Sequence, residues 1–166
     1  MLRVRPYKAE DAGEILSWTK EEEAFYKWSA GVLGNYPLTE EQFNVVQSVM
    51  PFVAFDESGV VGFFSLRNPG EGTDVLRFGF VIVSPRVRGK GYGKEMLRLG
   101  LKFAFEIYGA KKVTLGVFEN NPAAYYCYRA LGFQDTPMDP PEYYSVLGQE
   151  WKCLELFMDN PEGIDS

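Results

Sequence analysis

At 166 residues, 46% hydrophobic and 16% aromatic, the chain is long enough for one well-buried domain and short for two. Its net charge of −6 argues against a nucleic-acid binder, which needs clustered Lys and Arg for phosphate, and suits a cationic substrate. Histidine is absent, which excludes Ser-His-Asp hydrolases, Cys-His proteases and most zinc enzymes. Cys127 and Cys153 lack metal-ligand spacing and read as reduced, partly buried thiols, with no metal expected. No apolar run reaches membrane-spanning length, and Met1–Pro6 lacks the apolar core of a signal peptide, so a cytoplasmic location with no membrane partner is expected.

In chain order, Leu2–Val4 predicts a short strand ended by Pro6, and Glu10–Lys20 a helix carrying Ile15, Leu16 and Trp18. A second helical stretch is expected over Glu21–Ser29. After the breakers Gly31, Gly34, Asn35 and Pro37, Thr39-Glu40-Glu41-Gln42 resembles a capping box opening a third helix. The period then shortens. Phe52–Phe55 and Val60–Leu66 predict two strands joined by a turn at Asp56-Glu57-Ser58-Gly59, followed by a loop at Asn68–Gly72. Val75–Val83 is a longer, mid-sheet strand, and a helix runs from Gly93 to Tyr108. Lys112–Val117 predicts a strand, and Asn121–Leu131 a helix with Asn121 as N-cap and Gly132 as C-cap. Tyr143–Val146 and Trp151–Met158 form a last hairpin, and residues 160–166 are expected to fray. The order is that of a mixed α/β domain over residues 1–159.

The turn Arg88-Gly89-Lys90-Gly91-Tyr92-Gly93 links a strand to a helix. Alternate glycines allow a tight turn with unobstructed N–H groups. With the helix N-terminus, Arg88 and Lys90, they form an anion site suited to a pyrophosphate. A Walker loop would need a hydroxyl after Lys94, where Glu95 stands, and a dinucleotide fingerprint would need G-x-G-x-x-G spacing. About thirty residues on lies Val117-Phe118-Glu119-Asn120-Asn121-Pro122-Ala123-Ala124-Tyr125-Tyr126-Cys127-Tyr128, followed by Gly132-Phe133. Tyr128 falls two turns along the helix face from Asn121.

The pair of motifs resembles the GNAT superfamily of N-acetyltransferases. The first matches its Arg/Gln-x-x-Gly-x-Gly/Ala loop and the second its V-x-x-x-N-x-x-A-x-x-x-Y signature, covering roughly residues 75–133. Gly148-Gln149-Glu150-Trp151-Lys152 resembles the ribosomal-protein and polyamine branch. The resemblance implies a mostly antiparallel sheet of six to seven strands, with a splayed pair of parallel strands and about four flanking helices. It implies acetyl-CoA as acetyl donor and a primary amine, on a small molecule or a protein N-terminus, as acceptor. Backbone groups of Val81, Ile82 and Val83 would pair with pantetheine, and Arg88, Gly89, Lys90, Gly91, Tyr92, Gly93 and Lys94 would hold pyrophosphate. Asn121 would approach the cofactor arm, Tyr128 would protonate the departing thiolate, and a backbone N–H near the strand end would polarise the acetyl carbonyl. Attack would be direct, since Cys127 points about 100° away from Tyr128 around the helix.

Several members carry a Glu base near the position of Arg77, which this chain lacks. Deprotonating a lysine-like ammonium at pH 7 costs about 4–5 kcal/mol, against about 1 kcal/mol for an α-amine, so a base-poor centre suits the weaker amine. Glu22, Glu23 or Tyr26 could act through water. An aromatic acceptor pocket is expected from Tyr26, Trp28 and Tyr36, with Trp18 and Phe25 nearby, Tyr143 and Tyr144 from the last hairpin, and Glu22 supplying charge. The rival readings are a catalytically silent acyl-CoA-binding module, a transferase for a longer acyl chain, and an unrelated nucleotide binder. A monomer and a homodimer are both compatible with the sequence.

Overall fold

The computed structural model describes residues 1–70, 72 and 74–161. Glu71 of the expected loop and residues 162–166 of the expected tail lie outside the described residues. The chain divides into two compact units, one holding Met1–Ser65 and Phe80–Met96, the other Leu66–Gly79 and Leu97 onward.

In the first unit, β1 (Arg3–Pro6) pairs antiparallel with β2 (Met50–Asp56) in the register Arg3–Phe55 to Pro6–Phe52. β3 (Gly59–Arg67) follows after the expected turn. The first helix is shorter than its apolar pattern predicts: a 3-10 turn at Ala9–Asp11 leads into α1, which covers only Ala12–Leu16. Ser17 ends it, its hydroxyl donating to Glu14 O at 2.5 Å, and the next N–H groups reach back three residues, Trp18 to Ile15 and Thr19 to Leu16. α2 (Glu22–Ser29) stops where Ala30 turns left-handed, φ 54°. α3 (Glu40–Phe43) opens on the capping box expected from sequence: Gln42 N–H donates to Thr39 Oγ1 at 3.1 Å, and Thr39 N–H to Gln42 Oε1 at 3.0 Å. These helices and the turns that follow α1 and α3 bury Ile15, Trp18, Phe43 and Val46 against Val53, Phe63 and Ile82. Each such side chain contributes about 1.5–3 kcal/mol relative to exposure.

β4 (Val75–Val83) has the predicted bounds. In the second unit its first residues pair in parallel with β5 (Lys112–Phe118), through Val75–Lys112, Leu76–Val113 and Arg77–Thr114. β8 (Gln149–Asp159) runs antiparallel to β5, from Lys112–Asp159 to Phe118–Cys153. The far edge of β8 takes β6 (Gln134–Thr136) and β7 (Glu142–Val146). Leu147 (φ 52°) and Gly148 (φ 74°) make the tight two-residue turn of the last hairpin, whose positive φ values match strand twist. α4 (Tyr92–Lys102) continues as a wider π-helical stretch over Phe103–Tyr108, and α5 spans Pro122–Leu131, ended by left-handed Gly132 as expected.

The described strands are hydrogen-bonded in the order β1-β2-β3-β4-β5-β8-β6, with β7 also on β8. The sheet is therefore mostly antiparallel around one parallel pair. Among the described residues, eight strands stand where six to seven were expected, and five α-helices where about four were. The additional strand is β6, Gln-Asp-Thr, which has no apolar alternation; it is secured by Tyr125, whose hydroxyl donates to the Asp135 carboxylate at 2.9 Å. The start of the expected tail is tied down, because Asn160 N–H donates to Lys111 O at 2.8 Å and its amide to Ala110 O at 3.0 Å.

Candidate functional site

In the first unit the chain leaves β4 through Ser84, whose N–H donates to Val61 O at 2.8 Å and whose hydroxyl accepts from Arg86 N–H. A 3-10 turn at Pro85–Val87 buries Val87 and leaves Arg88 outside. Gly89 (φ 81°) and Gly91 (φ 80°) then adopt left-handed backbone, which would cost any other residue about 1–2 kcal/mol each. A Cβ placed on either would meet nothing within 4 Å, so glycine is required by conformation and the space above the loop is open. Left-handed residues in such a turn aim successive N–H groups into a common concavity. α4 starts at Tyr92, and Glu95 N–H is the first to reach back, to Gly91 O at 3.1 Å. The N–H groups before it have no intrahelical acceptor, and the helix dipole adds positive potential there. Arg88 and Lys90 are exposed and Lys94 half-buried, and among the described residues none of the three forms an ion pair. Open N–H groups, a helix start and three cations fit a pyrophosphate.

Immediately before the loop, Val81 and Val83 are half-buried and Ile82 lies in the core. Phe80 carries φ 52°, left-handed backbone that is rare for a bulky residue inside a strand. Its carbonyl accepts the Trp28 indole N–H at 2.8 Å, and the two rings lie 6.3 Å apart. Trp28 therefore ties α2 to this irregular point of β4. Sequence reasoning missed this feature, although Gly79 in mid-strand was a signal for it.

The other expected acceptor residues are placed as follows. Glu22 is exposed at the start of α2, and Tyr26 and Tyr36 are half-buried. Tyr36 N–H donates to the Tyr26 hydroxyl at 3.1 Å, and the Tyr36 hydroxyl donates to Lys20 O. A small cleft is lined by Leu16, Thr19, Lys20, Phe25, Tyr36, Pro37 and Leu38; of the four expected residues, Tyr36 is the one that borders it.

In the second unit, Asn121 sits at the N-cap of α5, but its side chain makes no capping bond and Pro122 follows at the first helical position. Tyr128, 7% exposed, packs its ring 6.2 Å from Phe133. Its hydroxyl has no hydrogen-bond partner among the described residues, and no wholly buried side-chain polar atom there lacks one. The Tyr128 hydroxyl is therefore not wholly buried. Burial pushes its pKa above that of an ordinary phenol and keeps the proton on.

Arg77, at the position where a carboxylate base would stand, is occupied. Its guanidinium forms a bidentate pair with Glu155 at 2.6 and 3.0 Å and donates to Thr114 Oγ1 at 3.1 Å. Gly116 makes room for it, since a Cβ there would lie 2.9 Å from Arg77 Nη2. Burial, then the nearby Glu142 and Glu155 charges, push the Cys153 thiol up and away from thiolate chemistry. No disulfide links Cys127 and Cys153. Among the described residues no helix is long and apolar enough to cross a membrane, and no cluster of three or more Cys, Asp or Glu is placed to hold a metal ion.

A sequence profile described as the acetyltransferase (GNAT) family matches residues 13–133. Over 52 residues the chain is 40% identical to the spermine/spermidine N(1)-acetyltransferase of Bacillus subtilis (strain 168), a match spanning 31% of this chain and about a third (34%) of that relative. Among solved structures, spermidine N-acetyltransferase from Vibrio cholerae in complex with CoA and spermine superposes with a TM-score of 0.80 at 17% identity, covering 96% of this chain and 95% of that one. A GCN5-related N-acetyltransferase from Brucella melitensis gives 0.74 at 16% identity, over 98% of this chain and 77% of that one. At these identities the structural likeness establishes the fold.

Proposed function

This chain belongs to the acetyltransferase (GNAT) family, and from that premise we propose that it acts as one domain over residues 1–159, transferring an acetyl group from acetyl-CoA directly to a primary amine. The observation that carries the proposal is the loop at Gly89–Gly93: two left-handed glycines with open space above them, followed at once by a helix start and flanked by exposed cations. Arg88, Gly89, Lys90, Gly91, Tyr92, Gly93 and Lys94 would hold the pyrophosphate by charge and N–H donation. Backbone groups of Val81, Ile82 and Val83 would align the pantetheine arm, and Asn121, whose side chain is not used for capping, would contact it. The donor supplies an activated thioester. Tyr128, kept protonated by burial, would donate a hydrogen bond to the departing sulfur.

For the acceptor we propose a polyamine-like or other primary amine, in line with the activities for which the relatives are named and the net charge of −6. Glu22, Tyr26, Trp28 and Tyr36 would contribute to its binding, with Trp28 and Tyr26 acting through the contacts that fix α2 and the following loop. We place the enzyme in the cytoplasm, as a monomer or homodimer. The Arg77–Glu155 pair favours one alternative, a module that binds acyl-CoA without turnover, because an arginine paired with a carboxylate stands where a free carboxylate base would be expected. Release of CoA thiol with any amine decides between the two.

The cofactor site is tested by thermal shift with acetyl-CoA and CoA, on wild type and Gly91→Trp. Ligand at one hundred times Kd stabilises the native state by about 2.7 kcal/mol, or about 5 °C or more for a chain of this size. A saturable shift that disappears in the folded variant supports the site; no shift in folded wild type overturns it.

A further inference from the structure

We propose that Asp56, in the turn between β2 and β3, is a positioning residue that holds the glycine loop in its anion-binding shape from both ends at once. The inference rests on the reading above, in which that loop receives the pyrophosphate of CoA.

The network begins with the turn itself. Asp56 Oδ1 accepts Ser58 N–H at 2.8 Å and the Ser58 hydroxyl at 2.5 Å. The other oxygen, Oδ2, accepts the Tyr92 hydroxyl at 2.8 Å. On the near side of the loop, Arg86 Nη1 donates to Ser58 Oγ at 2.7 Å, and Nη2 reaches Ser58 O and Val60 O, each at 3.4 Å. Arg86 and Tyr92 flank the segment that contains Gly89 and Gly91, so one three-residue turn grips the loop before and after its two left-handed glycines. Ser58 joins the halves, donating to Asp56 while accepting from Arg86.

Two physical consequences follow. Glycine carries more backbone freedom than any other residue, so a loop built on it would lose much entropy on closing around an anion. Fixing both ends beforehand removes part of that cost from the binding step. Hydrogen bonds from Ser58 and then Tyr92, with the Arg86 guanidinium close by, hold the Asp56 carboxyl at about 2, so at neutral pH it is ionised and a strong acceptor for both partners. The hairpin does not depend on this network, because β2 is also held by its four-residue register with β1.

The test compares Asp56→Ala, Asp56→Asn and Tyr92→Phe with wild type, using two ligands: CoA, and pantetheine, which has the arm but no pyrophosphate. Asp56→Ala is expected to weaken CoA binding about three- to tenfold, the scale of one ordinary hydrogen bond's net contribution, and to leave pantetheine affinity unchanged. Asp56→Asn, which keeps a neutral acceptor for Tyr92, is expected to fall between Asp56→Ala and wild type. Amide hydrogen exchange in ligand-free Asp56→Ala and Tyr92→Phe should quicken at Gly89–Gly93 and stay unchanged in β1 and β2. Equal losses for CoA and pantetheine, or an unaltered loop exchange rate, overturn the positioning role while leaving the cofactor assignment standing. Wild type that binds neither ligand overturns both.

Discussion

Replacing Tyr128 by Phe isolates chemistry from folding, because the hydroxyl removed has no hydrogen-bond partner among the described residues while the ring is packed against Phe133. Phe keeps the ring, so stability should change by no more than about 0.5 kcal/mol, or about 1–2 °C in Tm. The catalytic effect follows from relative acidities. An ordinary phenol has a pKa of about 10 and a thiol about 8.5, so full proton transfer from Tyr128 to a thiolate would run uphill by at least about 2 kcal/mol. Burial moves Tyr128 further up, which widens that gap. The hydroxyl should therefore stabilise the departing sulfur by donating a hydrogen bond in the transition state rather than by completing the transfer there. Its contribution then belongs at the low end for general acids, about 10²-fold in kcat.

The assay is initial-rate CoA thiol release at saturating donor and amine, with a melting curve and CoA affinity measured on the same samples. A kcat reduced about a hundredfold, with Tm and affinity preserved, is the expected result. An unchanged kcat would remove Tyr128 from the mechanism. A Tm lowered by more than about 5 °C would mean that the hydroxyl supports the fold, contrary to its lack of a partner. Because the upward shift keeps Tyr128 protonated between pH 6 and 9, a falling limb in that range that vanishes in Tyr128→Phe would equally refute the argument.

Two further substitutions test the frame around the site. Gly116→Ala should destabilise the chain by about 1–2 kcal/mol in urea denaturation, since its Cβ would displace the Arg77 guanidinium from a pair that is about a quarter exposed; in an Arg77→Met background the added cost should largely vanish. Asp11 is buried, which by itself would raise its carboxyl, but hydrogen bonds from Arg5 and the Lys8 N–H, with the Arg5 charge, outweigh this and leave it below the ordinary range. Its contribution is thus complete above about pH 4 and is lost as pH falls through the lowered value, so Asp11→Asn should cost about 1–2 kcal/mol at pH 7 and progressively less below pH 4.

What could be read from the sequence was decided within a few residues along the chain. The Thr39 capping box, the bounds of β4 and the C-cap Gly132 each depend on neighbours in sequence, and the structure has them where the pattern put them. The anion loop belongs to this class, because its glycines are demanded by local φ and not by a distant wall. Short polar signals were less legible. Ser17 ends α1 through its own hydroxyl although the apolar period continues, and β6 is a strand because β8 offers it an edge.

The features that bear most on function were hidden because they join residues far apart in sequence. Trp28 donates to a carbonyl 52 residues away, Tyr92 to a carboxylate 36 away, and Arg77 to a carboxylate 78 away. The last pairing shows why the sequence was silent. Arg77 lies opposite Thr114 in the parallel register, and Gly116 lies opposite Glu155 in the antiparallel one, so the two registers on β5 together bring guanidinium to carboxylate. Neither register can be obtained from strand propensity, which gives the same answer for a shift of two residues. The sequence could show that the strand lacks a carboxylate at Arg77. Only the registers show that a carboxylate is nevertheless present there, supplied by β8 and engaged through both oxygens by the arginine. The absence of a free carboxylate at this position is thus a consequence of pairing as much as of composition, and in the proposed reaction the acceptor amine would lose its proton to water or to a group outside this pair.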